Sequence, residues 1–438
     1  MKERKWEMGN GKLGKLYVGI LLVIFGGIVL HAPAIAGFGT LWPNYNLLIK
    51  SWKEILMLIA GLIALFLIYK NKQMKILRDP VIVAIAAYAT LHLVLLFYLN
   101  QGSAASVAGL AIDLRYILFF GLVYIAMKLY PEYRKMFIRV GIAGALIVLI
   151  FAILQVFFLP YDVLKYIGYS KNTIIPYLVV DRNYNFIRIN STLRGPNPLG
   201  AYAGILLVLI VAAIAKSKIA KDKWPLVIVG TLSAGGVVAL WASYSRSALI
   251  GTIVAIILVL AVVYWRKLST RMWITISIIL IILGGGLFMA RNTQFISNVL
   301  FHENPTYNDT TGSNVGHLNS LSDGTVQLLS QPLGAGIGST GSASLLGSKA
   351  EIIENQYLFV AHEIGWLGLA IFVFIFSSIQ IRLWKLRNNW LALGVFASGI
   401  GLALIGILLP VWVDDTVAII WWGLAAVALF PSRKNEDL

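Results

Sequence analysis

The chain has 438 residues, of which 59% are hydrophobic and only 13% charged, with a mean hydropathy of +0.81. Soluble domains carry about a quarter charged residues, so this composition excludes an ordinary water-soluble globule. The net charge of +17 would suit a nucleic-acid binder, but the placement of the charges argues against nucleic acid; the lack of cysteine excludes disulfides, thiol chemistry and thiolate-held metal.

Apolar stretches of about 20 residues, enough to cross roughly 30 Å of hydrocarbon, recur along the whole length. Spans are expected over 14–36, 54–70, 80–99, 106–128, 137–160, 197–215, 224–241, 246–265, 271–290, 356–378, 389–410 and 412–430. In lipid only helices or closed barrels satisfy the backbone, so the expected fold is an all-α, polytopic integral membrane bundle of about 12 transmembrane helices. The basic start MKERKWEMGNGKLGK and the apolar run after it resemble a signal peptide. That run ends in HAPAIAGFG without a convincing cleavage context, so it reads as an uncleaved first span.

With twelve spans, 25 of the 36 Lys and Arg fall on the side that holds both termini. Ten fall on the other side, although its loops are longer, and Arg115 lies within a span. This bias places both termini in the cytoplasm and the protein in the inner (plasma) membrane. The chain divides into residues 1–290 (helices 1–9, with an outer loop near 161–194), a large extracytoplasmic loop over 291–355 before the tenth helix, and residues 356–438 (helices 10–12 and a cytoplasmic tail). A structureless loop as long as the second would be unusual unless functional. Within it, HLNSLSDGTVQLLSQPLG can form a short amphipathic helix that caps a site.

Candidate chemistry lies mainly at the outer rim. In LAIDLRYILFF, Asp113 and Arg115 are two residues apart and share no helix face, so each needs a partner elsewhere. Intramembrane charges are functional candidates, with structural ion pairing to other helices as the competing reading. In INSTLRGPNPLGAYAGI, Arg194 stands at the lip of a span that begins at Asn197 or Pro198. Its guanidinium can clamp a phosphate beside a helix N-terminus, or snorkel to the headgroups. In WASYSRSALIGTIVA, Arg246 opens a span against both the charge bias and the helix dipole, which calls for an anionic partner.

Further along, His317 reads as a loop or capping histidine. Gly334, Gly336 and Gly338 follow no strand of a βαβ unit, so they fit a tight turn re-entering the membrane surface rather than a nucleotide fingerprint. IIENQYLFVAHEIGWLGL sets Glu354 at the outer edge of a span, where a partly desolvated carboxylate can act as a general base. His362 and Glu363, two turns deeper, read as interhelical hydrogen-bonding groups, with Gly365 and Gly368 letting another helix pack close. Asp181, Glu303, Asp309, Asp323 and Glu351 show no metal-ligand spacing, and no cofactor is expected.

Four stretches, LRGPNPLGAY, YSRSALIG, GHLNSLSDG…QPLGAGIGS and ENQYLFVAHEIGWLGL, resemble in order and spacing the O-antigen ligase and polymerase superfamily of bacterial membrane glycosyltransferases. The resemblance is sharpest over 190–370. It implies a fold like that of the metal-independent (GT-C) membrane glycosyltransferases, and transfer of a glycan from a polyprenyl (undecaprenyl) diphosphate to an acceptor hydroxyl at the outer leaflet. It also implies diphosphate contacts at Arg194, Arg246 and Arg115, catalysis at Glu354, and acceptor or loop support from His317, Asn355 and Tyr357. The ligase branch has a histidine where this chain has Glu354, and that departure shifts the expectation from ligation onto a lipid A-core towards polymerisation of repeat units. The implied partners are the lipid-linked oligosaccharide donor, a glycan or lipid-linked acceptor, membrane lipids and a chain-length regulator. A transporter or flippase of lipid-linked sugars is the rival from another class. It would place its polar groups at the midplane and repeat its halves, whereas the polar groups here gather at the outer rim and no matching halves are visible.

Overall fold

A computed structural model describes residues 11–99, 101–180, 183–216, 225–265 and 313–431. The helices are α1 (Lys12–Gly27), α2 (His31–Leu41), α3 (Asn46–Lys70), α4 (Pro80–Tyr98), α5 (Ser103–Leu129), α6 (Arg134–Phe157), α7 (Pro196–Ala215), α8 (Leu226–Ala242), α9 (Arg246–Tyr264), α10 (Ser313–Ser330), α11 (Gly341–Ser344), α12 (Gln356–Lys385), α13 (Trp390–Ile405) and α14 (Asp415–Ala428). Among the described residues, eight helical stretches are long and apolar enough to cross a membrane, α1 and α2 together forming one. The shorter apolar α8, α13 and α14 match three further expected spans. The span expected over 271–290, and much of the loop expected over 291–355, lie outside the described residues.

Sequence signals set the helix ends. Asp79, Asn355, Asn389 and Asp414 each cap a helix, with a side-chain oxygen accepting backbone N–H groups of the first turn. Pro80 and Pro196 occupy first helical positions, where no N–H is needed. α7 therefore starts at Pro196, slightly before the expected Asn197 or Pro198, because Gly195 rather than an Asn serves as the cap.

The core is most completely buried along α5 and α14, where Trp421, Trp422, Phe119 and Phe120 are sealed from solvent. α7 and α9 run side by side in the same direction. A Cβ at Gly200 would stand 2.7 Å from Ser243 Oγ and 2.9 Å from the Ala248 Cβ, so the absent side chain is what permits the contact. α13 packs antiparallel to both helices, with its Gly401 backbone against Gly251 of α9 and its Gly394 against Leu209 of α7.

The loop expected near 161–194 is more structured than the sequence suggested. It holds a short 3-10 turn (Val163–Ile167) and an antiparallel hairpin, β1 (Tyr177–Val180) with β2 (Asn183–Ile189). The all-α expectation thus acquires one two-stranded element. The amphipathic helix expected in the second loop is present as α10, which lies against α12 with Trp366 Nε1–H donating to Leu328 O at 2.6 Å.

Candidate active site

The starts of α7, α9 and α12 and the end of α13 share one end of the bundle, the same end as the hairpin and α10. Arg194 enters this region from a constrained turn. Ser191 is buried with φ +50°; its N–H donates to Gln155 Oε1 and its hydroxyl to Val148 O, both on α6. A non-glycine residue in that conformation carries strain, which persists only where its surroundings enforce it. The turn presents Arg194 exposed, and no hydrogen bond or ion pair joins it to another described residue. Three buried basic side chains, His31, Lys53 and Arg115, lie in the same region.

Those three converge on a residue the sequence reading passed over. The Asp415 carboxylate, at the first position of α14, pairs with Arg115; it also lies 2.8 Å from His31 Nε2 and 3.4 Å from Lys53 Nζ. Arg115 donates further to Val413 O, while Lys53 meets Glu54 at 3.2 Å and donates to Lys50 O. Trp52 Nε1–H donates to His31 Nδ1 at 2.9 Å. Nε2 lies against both Asp415 and, at 3.0 Å, Lys53 Nζ, so neither ring nitrogen is open to act as a base. Lys53 is 2% and Arg115 5% exposed. Buried charges of this kind need paired, hydrogen-bonded partners, and here they tie α2, α3, α5 and the start of α14 together. Lys53, expected in an outer loop, is instead inside α3. A second Asp in WVDDTV, within an expected span, was the signal for Asp415 that went unread.

Arg188 on β2 was also missed. Its Nε donates to Ser243 O at 2.8 Å and one Nη to Asn197 Oδ1 at 2.5 Å. A single planar fork thereby joins the turn before Arg246 to the helix start after Arg194.

Glu354 is half-buried in the last residues before α12. Asn355 is anchored twice: its Oδ1 accepts the N–H groups of Tyr357 and Leu358, and its Nδ2 donates to Ile407 O at 2.8 Å. Tyr357 OH donates to Ala403 O, Gln356 N to Gly406 O, and Trp412 N to Gln356 Oε1. The acid-Asn-x-Tyr motif is thus a clamp onto the end of α13. Height along α13 relates Glu354 to Arg246. Gly251 touches Gly401; five residues back along α9 lies Arg246, and five residues on along α13 lies Gly406, under Gln356. At 1.5 Å per residue both paths climb about 7.5 Å, so Arg246 and the Glu354 segment stand at one level on α13.

The expectation for Glu363 and His362 holds only in part. They were expected to bond other helices, with Gly365 and Gly368 making room for one. What packs there is the loop. Gly365 has φ +69° and breaks α12, and its N-terminal neighbours turn their carbonyls to the incoming segment. Ala335 N donates to His362 O, Gly336 N to Glu363 O, and Trp366 N to Pro332 O. The Glu363 carboxylate accepts Gly338 N at 3.1 Å and Thr340 N at 3.3 Å. Asp113 on α5 also reaches Glu363, and His92 Nε2 lies 3.6 Å from Asp113, so one interhelical link of the expected kind does exist. Asp113 and Arg115 do find separate partners, as their spacing required. The re-entrant turn through Gly334, Gly336 and Gly338 is present, all three with positive φ. His317 lies on α10.

Residues 231–373 match the family model described as O-antigen ligase. That segment, about a third of the chain, is similar to O-antigen ligases. It contains Arg246, the re-entrant turn and Glu354, and it bears out the expected kinship with the O-antigen ligase and polymerase superfamily; Arg115 and Arg194 lie ahead of it. No curated protein matches the chain.

Proposed function

We propose that the protein transfers a glycan from polyprenyl diphosphate to an acceptor hydroxyl at the outer leaflet, as a polymerase of polysaccharide repeat units. The observation that carries this reading is the joining of the two arginine turns by Arg188, with the Glu354 segment level with Arg246 across α13. In this proposal the loop end of the bundle faces away from the cytoplasm and both termini lie inside, as the charge bias requires.

Glu354 takes the proton of the acceptor hydroxyl, whose oxygen attacks the anomeric carbon of the lipid-linked sugar. The bond from that carbon to the diphosphate oxygen breaks, and polyprenyl diphosphate departs with inversion at carbon. Arg194 and Arg246 neutralise the charge developing on the leaving group. Arg115, engaged by Asp415 and Val413 O, acts from behind by fixing the floor beneath Arg194. Asn355 and Tyr357 hold the base in place.

The test is turnover by the purified protein with a polyprenyl-diphosphate-linked oligosaccharide in the presence of EDTA, following glycan size and release of polyprenyl diphosphate. A ladder of products that Glu354→Gln and Arg246→Ala both abolish supports a metal-independent polymerase. Undiminished turnover in Glu354→Gln removes the base assignment. The description of the matched family favours a second reading, ligation: one transfer to a lipid A-core acceptor, without a ladder, would establish it. Lipid-linked sugar crossing the bilayer without diphosphate release would establish a flippase instead.

A further inference from the structure

We infer that Glu363 and Thr340 are positioning residues for Glu354: a carboxylate buried in the membrane region holds the re-entrant turn, and the turn holds the segment that carries Glu354 through one hydroxyl. This inference rests on the reading of Glu354 as the base.

Thr340 is fully buried, and both its N–H and its hydroxyl are hydrogen-bonded. Its N–H donates to Glu363 Oε1 at 3.3 Å, its hydroxyl donates to Glu351 O at 3.1 Å, and the same oxygen accepts from Ile353 N at 3.2 Å. Ile353 is the residue before Glu354 and is itself 3% exposed. Gly341 N donates to the same Glu351 carbonyl and Glu351 N donates to Ser344 Oγ, so the segment 351–353 is held at both Glu351 and Ile353. On its other side Glu354 is followed by Asn355, fixed to Ile407 O. The base is therefore clamped from both neighbours, and one of the two clamps leads through Thr340 to Glu363.

The anchoring end is equally defined. Glu363 is 1% exposed and sits within α12, where a carboxylate needs donors from within the protein. Gly338 N and Thr340 N supply them. Gly338 can approach because it has no side chain: its φ is +81°, and an added Cβ would collide with the Ala105 carbonyl of α5. The linkage from Glu363 to Ile353 thus runs through two hydrogen bonds and one intervening residue, Thr340. Proton abstraction is sensitive to displacements of well under an ångström, so slack in this linkage should act on the chemical step rather than on donor binding.

The experiment uses the full chain in nanodiscs and compares wild type, Thr340→Val, which keeps the shape and deletes the hydroxyl, Thr340→Ser, which restores the hydroxyl, and Glu363→Gln. Two readouts are taken: hydrogen exchange at the Ile353 amide, and kcat and KM for release of polyprenyl diphosphate. Thr340→Val is expected to speed Ile353 exchange about tenfold and to lower kcat about tenfold with KM for the donor unchanged, and Thr340→Ser to recover both. Glu363→Gln, which sets an amide N–H against one of the two donors, is expected to move the same two quantities the same way. Ile353 exchange unaltered in Thr340→Val overturns the linkage, whether or not the protein proves to be a glycosyltransferase. Faster exchange with unaltered kcat overturns the positioning role. A loss in Thr340→Val that Thr340→Ser does not recover also overturns it. Wild type that releases no diphosphate removes the functional reading and the catalytic meaning of the linkage together, while the exchange data still decide whether the linkage exists.

Discussion

The guanidinium of Arg115 and the carboxylate of Asp415, 300 positions apart in the chain, form an ion pair inside the bundle that fixes α5 to the start of α14. His31 and Lys53 share the same carboxylate. Removing one member of a buried charge group leaves the others uncompensated, at a cost of about 3–5 kcal/mol. Asp415→Ala should therefore lower the thermal midpoint of the protein in detergent by several degrees, and Asp415→Ala with Arg115→Met should recover part of the loss. A double variant no more stable than the single one would mean that Lys53 and His31 dominate the group.

Arg188 should be far more important to turnover than its place on a short hairpin suggests. Arg188→Lys keeps the charge but cannot span Ser243 O and Asn197 Oδ1 with one planar fork. The donor KM is expected to rise about tenfold, equivalent to about 1.4 kcal/mol, as the Arg194 and Arg246 turns move independently. Steady-state kinetics on the lipid-linked donor decide it.

Gly200 sets the spacing of those same turns. A Cβ there already meets Ser243, Ser245 and Ala248 within about 3 Å, so Gly200→Val should cost about 1–3 kcal/mol and splay the starts of α7 and α9. Gly230, whose Cβ would meet nothing, is the control: Gly230→Val should leave the melting temperature unchanged.

Acid should loosen the second loop through Glu351. Burial works against its charge, but the bonds from Lys349 and Gln327 outweigh that and hold its carboxyl below the usual glutamate range. A depressed native value means the stabilisation is full above the unfolded glutamate range, near pH 4.3, and fades as pH falls through the lower native value. The melting advantage of wild type over Glu351→Gln should hold at pH 7 and shrink below about pH 4.

At the opposite end of α12, Arg382 grips Asp79 with two parallel bonds at 2.8 and 3.1 Å, and Tyr124 OH donates to the same carboxylate. Asp79 also caps α4. Asp79→Ala deletes a cap and a charge-assisted pair together, and a loss of about 2 kcal/mol in a denaturant titration is expected. A loss shared equally by Arg382→Met would show that the pair, rather than the cap, carries it.

Much of this architecture is written locally. Hydropathy and charge alternation place eleven of the expected spans where helices stand, because in lipid a helix is the locally satisfied choice. Arg194, Arg246 and Glu354 were visible because each sits against a local rule: charge where the span begins, on the side poor in positive charge. What escaped were relations between distant residues. Asp415 is one of two acids in WVDDTV, and nothing nearby in the chain announces that His31, Lys53 and Arg115 will meet it. Arg188 looked like one more loop cation until the hairpin aimed it. Glu363 was recognised as needing a partner, but a loop backbone donor has no side-chain signature in the sequence.

The break at Gly365 also bears on how the chain is assembled. Every group that satisfies the opened carbonyls of His362 and Glu363, and that receives the N–H of Trp366, lies between Pro332 and Thr340, ahead of α12 in the chain. The helices against which that turn rests, α4 and α5, come earlier still. During synthesis from the N-terminus, α12 thus emerges into a bilayer where its missing backbone partners have already been made, and it never has to cross hydrocarbon with them exposed. The Asn355 and Gln356 clamp, by contrast, waits for α13 and Trp412. Anchoring of the segment before α12 is in this sense a late act of folding, completed only when α13 and Trp412 arrive.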